Sequence, residues 1–140
     1  MNTLGQPKNV SIAERRASRD ENVVLIADDD VFMRTLVRET VKTRGTVTEV
    51  LDGRAAVGAY QEFAPDILFL DIHMPVKNGI DVLQDILTID PYAFVIMLSG
   101  DDYGKNEEYI VQLGASGFLM KPFSREGVMK FIEQCPTMKR

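Results

Sequence analysis

The chain has 140 residues, 45% of them apolar and 26% charged, with a formal net charge of −5. That length supports one domain with one substantial core, and no apolar run approaches the ~18 residues that cross a bilayer. Residues 1–20 lack the apolar stretch of a signal peptide, the acidic balance argues against nonspecific nucleic-acid binding, and the lone Cys135 admits no internal disulfide; a cytoplasmic protein without membrane insertion is expected.

Residues 1–22 read as a polar N-terminal tail. Lys8, Arg15, Arg16 and Arg19 stand against Glu14, Asp20 and Glu21, so the tail carries +1 and residues 23–140 carry −6. Its few large apolar residues (Leu4, Val10, Ile12) bury little, which predicts a flexible segment, loosely helical at most from about Ser11, with a docking role left open. Arg15-Arg16-Ala17-Ser18 resembles a site for basophilic protein kinases, a pattern too short to weigh.

From Val23 onward strand and helix patterns alternate. Val23-Val24-Leu25-Ile26-Ala27 is a continuous apolar run, and after it Phe32, Leu36, Val37 and Val41 share one helical face that ends near Gly45, read as a C-terminal capping glycine. Val47-Thr48-Glu49-Val50-Leu51 alternates, as an edge strand does, and Asp52-Gly53 follows as a turn signal. Ile67-Leu68-Phe69-Leu70 is again continuous and precedes a helical stripe of Ile80, Leu83 and Leu87. Phe94-Val95-Ile96-Met97-Leu98 comes next, then a polar segment closed by Gly114 as a second capping glycine. Gly117-Phe118-Leu119-Met120 is the last run, before Val128, Phe131, Ile132 and Cys135 at i, i+3, i+4, i+7. Continuous runs suit parallel strands buried on both faces. Five strand–helix units predict one α/β domain over residues 23–140, a three-layer sandwich around a five-stranded parallel sheet.

In such sheets ligands bind beyond the C-terminal ends of the strands, so the residues just after each run carry the function. They are Asp28-Asp29-Asp30, Asp71, Ser99-Gly100-Asp101 and Lys121-Pro122. Each alone is weak, because Asp29, Asp30 or Ser99 could simply cap a helix. Together they crowd carboxylates that repel one another unless a cation intervenes, and oxygen ligands suit a hard divalent ion, most naturally Mg²⁺. No P-loop is present. A metal, a lysine and a hydroxyl around a carboxylate are the parts of a phosphoryl-transfer site, with Asp71, alone at its strand tip, as the nucleophile.

The blocks "VLIADDD", "LFLDIHMPVKNG", "IMLSG" and "GFLMKPF" resemble, in order and spacing, those of bacterial response-regulator receiver domains, the CheY-like family, over about residues 22–136. The resemblance implies a flavodoxin-like (βα)5 fold with strand order 2-1-3-4-5. It implies that Asp71 accepts the phosphoryl group, that Asp28 and Asp29 hold Mg²⁺ with Asp71 and the His73 main-chain carbonyl, and that Lys121 supplies the cation. Ser99 and Phe118 would be the switch pair, although Phe118 also reads as core, and a cis bond is implied before Pro122. His73 and Asp101 fall at positions whose side chains tune phosphoryl lifetime; Asp101 could orient a water or cap the next helix. The polar segment 101–108 reads as mobile before phosphorylation.

The expected partners are a sensor histidine kinase or a histidine phosphotransfer protein, and a downstream effector protein. A homodimer is compatible with the family. With ten residues or fewer after Ile132, no DNA-binding output domain is expected, so a stand-alone regulator whose only catalysis is its own phosphotransfer and dephosphorylation follows. Two rivals differ in class. A haloacid-dehalogenase-type phosphatase wants an aspartate where His73 stands, and a phosphate-insensitive docking module would not need its acid, hydroxyl and lysine positions filled.

Overall fold

Five strands, β1 (Val23–Ala27), β2 (Thr46–Val50), β3 (Ile67–Asp71), β4 (Val95–Ser99) and β5 (Gly117–Met120), form one parallel sheet. The computed structural model describes residues 10–100 and 107–140. The strand order is 2-1-3-4-5, so the order reverses between β1 and β3, and a site belongs at their C-terminal tips. Every residue of β1, β3 and β4 is buried, as continuous apolar runs require, while β2 is only half-buried at one edge. The other edge differs from its sequence reading. β5 looks like a buried run, yet Leu119 is half-buried and Met120 is 53% exposed, because four residues are too few to show alternation.

Alternate residues of each strand feed two cores. Leu25, Leu68, Leu70 and Met97 pack under α3 (Gly53–Phe63) and α4 (Gly79–Ile89), joined by Ile110 of α5 (Glu107–Gln112). Ile26, Ile67, Phe69 and Leu98 pack on the opposite face under α2 (Val31–Val41) and α6 (Arg125–Gln134). Each such fully buried side chain contributes roughly 1.5–3 kcal/mol. The helical stripes need two adjustments. Val37 and Val41 are fully buried but Phe32, in the first turn of α2 and level with the strand tips, is 78% exposed. In α4 the buried line is Val82, Leu83 and Ile86, with Ile80 and Leu87 packed at its flanks.

Gly114 does end α5 in a left-handed conformation, φ 111°. Gly45 does not; it is there because a Cβ would stand 2.5 Å from the Asn22 carbonyl oxygen. No helix among the described residues is long and apolar enough to cross a membrane. Cys135, at the end of α6, is buried and its thiol donates to the Asp66 carbonyl at 3.1 Å.

Within the expected tail, residues 10–22 pack against the domain. A capping box, Ser11 with Glu14, starts α1 (Ile12–Ala17) where the sequence placed a helical onset, but the helix is firmly docked. Arg15 donates to the carbonyls of Gln61 and Glu62 at 2.6 and 2.5 Å, and Arg19 to those of Phe63 and Ala64 at 3.1 and 2.9 Å. These are the orphan carbonyls at the end of α3, which the guanidinium forks satisfy in place of water. Arg16 is buried and pairs with Asp90 at 3.0 Å, also donating to the Pro65 carbonyl at 3.2 Å. Arg19 further pairs with buried Asp66 at 2.9 Å. The segment lacks apolar area because polar bonds hold it, which hydropathy does not register. The tail expectation for residues 1–9 lies outside the described residues.

Candidate functional site

The site grows from the strand tips. β1 runs on into Asp28, whose amide still donates to the Val50 carbonyl at 3.2 Å, and the chain then turns. Asp28 Oδ1 accepts the Asp30 amide at 2.9 Å, and Asp30 caps α2 by accepting from Phe32 and Met33 at 2.9 and 3.3 Å. The three acids therefore separate: Asp30 is the cap, Asp28 is fully buried, and Asp29 is exposed.

Asp71 ends β3 and is only 4% exposed. Its Oδ1 accepts the His73 amide at 3.1 Å, while the Ile72 amide continues the ladder to Leu98 at 2.9 Å. The turn after it is clamped from two sides. Gly79 donates to the Ile72 carbonyl at 2.7 Å, and Gly53 to the Pro75 carbonyl at 3.1 Å. Lys77 pairs with Asp85, and Asn78 caps α4 by accepting the Asp81 amide at 3.0 Å. A Cβ at Gly79 would stand 2.2 Å from the Asp71 carbonyl oxygen and 2.8 Å from Ile72 Cα. Gly79→Ala is therefore expected to cost about 2–3 kcal/mol by overpacking, read by chemical denaturation, and a loss below about 1 kcal/mol would show that the turn yields.

Ser99 ends β4 fully buried, and its carbonyl accepts the Lys121 amide at 2.7 Å. The Lys121–Pro122 bond is cis. Lys121 Nζ reaches back across the sheet, 2.8 and 3.0 Å from the two carboxylate oxygens of Asp28 and 3.3 Å from Asp71 Oδ2. Residues at the C-terminal tips of β1, β3 and β5 thus meet around one ammonium. Burial pushes the Asp28 carboxyl up to about 6; hydrogen bonds from Lys121 and Asp30 oppose this, and the Asp71 charge adds to it. Burial would lower the Lys121 ammonium, but its bonds and charges with Asp28 and Asp71 outweigh this and raise it.

The donor set fits a hard cation. Carboxylate oxygens of Asp28, Asp29 and Asp71 all lie within 4.8 Å of one another. Asp28 Oδ2 is buried and, despite the ammonium 2.8 Å away, lacks a hydrogen bond of acceptable geometry among the described residues. A buried carboxylate oxygen so placed suits an Mg²⁺ ligand. His73 is exposed, and Phe118 on β5 is half-buried against the α3–α4 core. Asp101, and residues 101–106 of the segment 101–108 expected to be mobile, lie outside the described residues, while Glu107 and Glu108 open α5. The sequence reading missed the glycine clamps and Arg34, whose Nη1 donates to the Asp28 carbonyl at 3.1 Å. No sequence signal marked Arg34, because Glu49, with which both Arg34 and Arg38 pair, meets α2 only once the sheet has formed.

The sequence model of the response regulator receiver domain matches residues 24–133. Protein CcdB of Bacillus subtilis (strain 168) is 39% identical over 113 residues, covering 79% of this chain and 94% of that protein. Chemotaxis protein CheY of Listeria monocytogenes is 38% identical over 113 residues, with 79% and 95% covered. Among solved structures, the receiver domain of NtrX from Brucella abortus superposes with a TM-score of 0.75 at 27% identity, covering 83% of this chain and 99% of that one. Chemotaxis response regulator CheY4 of Vibrio cholerae gives 0.74 at 26% identity, with 83% and 99% covered.

Proposed function

The chain belongs to the response-regulator receiver-domain family, and from that premise we propose that Asp71 is its phosphoacceptor. It is a regulator of the CheY-like kind rather than a classical enzyme. The donor is a phosphohistidine on a sensor histidine kinase or a histidine phosphotransfer protein. An Asp71 carboxylate oxygen forms the new bond to phosphorus as the phosphorus–nitrogen bond to the donor imidazole breaks, and the imidazole leaves with a proton from solvent. Asp28, Asp29, Asp71 and the His73 main-chain carbonyl would hold Mg²⁺, which when bound supplies positive charge to the phosphoryl oxygens.

Lys121 supplies the second positive charge. At rest its ammonium is divided between Asp28 and Asp71, so a phosphoryl oxygen at Asp71 finds a cation already aimed at it. The Ser99 hydroxyl then closes on the new dianion, and Phe118 turns into the space this opens. The pair biases a two-state equilibrium that an effector protein reads on the surface. Water attack at phosphorus breaks the bond to Asp71, returns the carboxylate and releases inorganic phosphate, with His73 and Asp101 setting the rate.

The carrying observation is the single ammonium bridging two buried carboxylates from separate strands. Intact-protein mass spectrometry after incubation with acetyl phosphate tests the proposal: one phosphoryl group is gained with Mg²⁺ and none without it. No gain in the presence of Mg²⁺, from acetyl phosphate and from a phosphorylated histidine phosphotransfer protein alike, would overturn it in favour of a phosphate-insensitive docking module.

A further inference from the structure

The acidic turn is held from behind by a side chain outside the ligand set. Arg34 donates through Nη1 to the Asp28 carbonyl at 3.1 Å and through Nε to Glu49 Oε1 at 3.0 Å. That carbonyl belongs to the Asp28–Asp29 peptide, whose plane sets the direction in which Asp29 leaves the strand. Asp28 itself is well anchored, since its carboxylate meets the Asp30 amide and Lys121. Asp29 is different: it is exposed, and among the described residues its side chain makes no hydrogen bond or ion pair. Its placement therefore depends on the backbone alone.

Resting on the receiver reading of the pocket, we infer that Arg34 is a positioning residue for Mg²⁺, orienting the Asp29 carboxylate through the Asp28 carbonyl with Glu49 as its brace. Glu49 suits the part. Its second oxygen accepts Arg38 Nη1 at 2.7 Å, so the carboxylate is pinned from two turns of α2. Burial alone would raise the Glu49 carboxyl, but the bonds from Arg38 and Arg34 outweigh it and keep the group ionised. An edge strand thereby fixes a turn at the centre of the sheet.

Charge and geometry make opposite predictions, which gives the test its edge. A guanidinium beside acids repels a divalent cation, so removing one that acts by charge alone tightens Mg²⁺ binding. Removing one that acts by positioning loosens it. Isothermal titration of Mg²⁺ into the unphosphorylated chain separates the two. Arg34→Ala is expected to weaken affinity roughly tenfold, as loss of a ligand-orienting partner does. Glu49→Gln weakens it less, and Arg34→Lys recovers only part, since one ammonium cannot serve both partners. Arg38→Ala removes equal charge one turn along but spares the Asp28 carbonyl, so its affinity stays the same or tightens.

Affinity in a natively folded Arg34→Ala that matches or exceeds wild type overturns the inference. If that variant does not fold, unweakened binding in Glu49→Gln and Arg34→Lys overturns it equally. Asp29→Asn separates this failure from a deeper one. Wild-type binding that Asp29→Asn weakens keeps the pocket assignment even when the Arg34 variants are silent, whereas a wild-type chain that binds no Mg²⁺ removes the pocket assignment and the inference together.

Discussion

Asp71→Asn takes up no phosphoryl group from acetyl phosphate and Mg²⁺, yet in chelator it unfolds at the same temperature as wild type or higher. The loss follows from the nucleophile, since an amide oxygen forms no stable acyl phosphate. The stability follows from the pocket. Asp28 is fully buried and Asp71 is 4% exposed, and a single ammonium serves both carboxylates. Burial first, with the Asp71 charge adding, lifts the Asp28 carboxyl to about 6.

A carboxyl raised in the folded state above its unfolded value of roughly 4 opposes folding when it ionises, here by a few kcal/mol. That opposition is absent below the unfolded value, grows between about 4 and about 6, and is complete above. Asparagine at position 71 removes the repulsive share. Its side-chain oxygen can still accept the His73 amide, as Asp71 Oδ1 does at 3.1 Å. The stability advantage of the variant should thus be largest near neutral pH and fade as pH falls through this window. Paired thermal melts across that range, beside intact-protein mass spectra, check both halves. Phosphoryl uptake in the variant would move the acceptor elsewhere, and a variant that melts below wild type at neutral pH would refute the account of the pocket's charge.

Arg16→Ala carries the largest expected cost to the fold. Arg16 lies 3% exposed and Asp90 1%, paired at 3.0 Å, with the Tyr60 hydroxyl donating to the same Asp90 oxygen at 2.7 Å. Burial would lower the Arg16 guanidinium, but its bond to Asp90 outweighs this and raises it; burial, then Asp90, pushes the Tyr60 hydroxyl up. Without Arg16 the Asp90 carboxylate stays buried with neutral donors only, the Tyr60 hydroxyl and the Tyr92 amide. Stranding one member of such a pair costs about 3–5 kcal/mol. For a domain of this size that lowers the thermal midpoint by roughly 10 °C or more. The double variant Arg16→Met with Asp90→Asn should recover part of the loss, because no uncompensated charge remains. A single variant that melts within about 2 °C of wild type would show that the N-terminal helix contributes little.

The sheet was legible because burial of a strand on both faces writes a continuous apolar run, as in Ile67-Leu68-Phe69-Leu70. The site was legible because such a run leaves no freedom about which residue emerges at its tip. Asp28, Asp71, Ser99 and Lys121 lie together at one sheet edge as that reasoning requires. What escaped depends on contacts distant in sequence. Phe32 has the spacing of a core residue and lies 78% exposed, since periodicity finds a helix face but not where the sheet beneath it ends. Arg15, Arg16 and Arg19 look like tail charges until the carbonyls of residues 61–65 and Asp90 are in place. Arg34 is one basic residue on a helix until Glu49 is folded beside it.

The division of each strand between two cores has an evolutionary corollary. Ile67, Phe69 and Asp71 share a parity: the first two enter the α2–α6 core, and the third leaves the strand toward the pocket on the same alternation. Substitutions along β3 change the spelling of one core or the other and leave the count intact. A single inserted or deleted codon exchanges the two cores and turns the carboxylate away from Lys121 in one stroke. In this strand the residue count alone sets which side chains enter each core and where the carboxylate emerges.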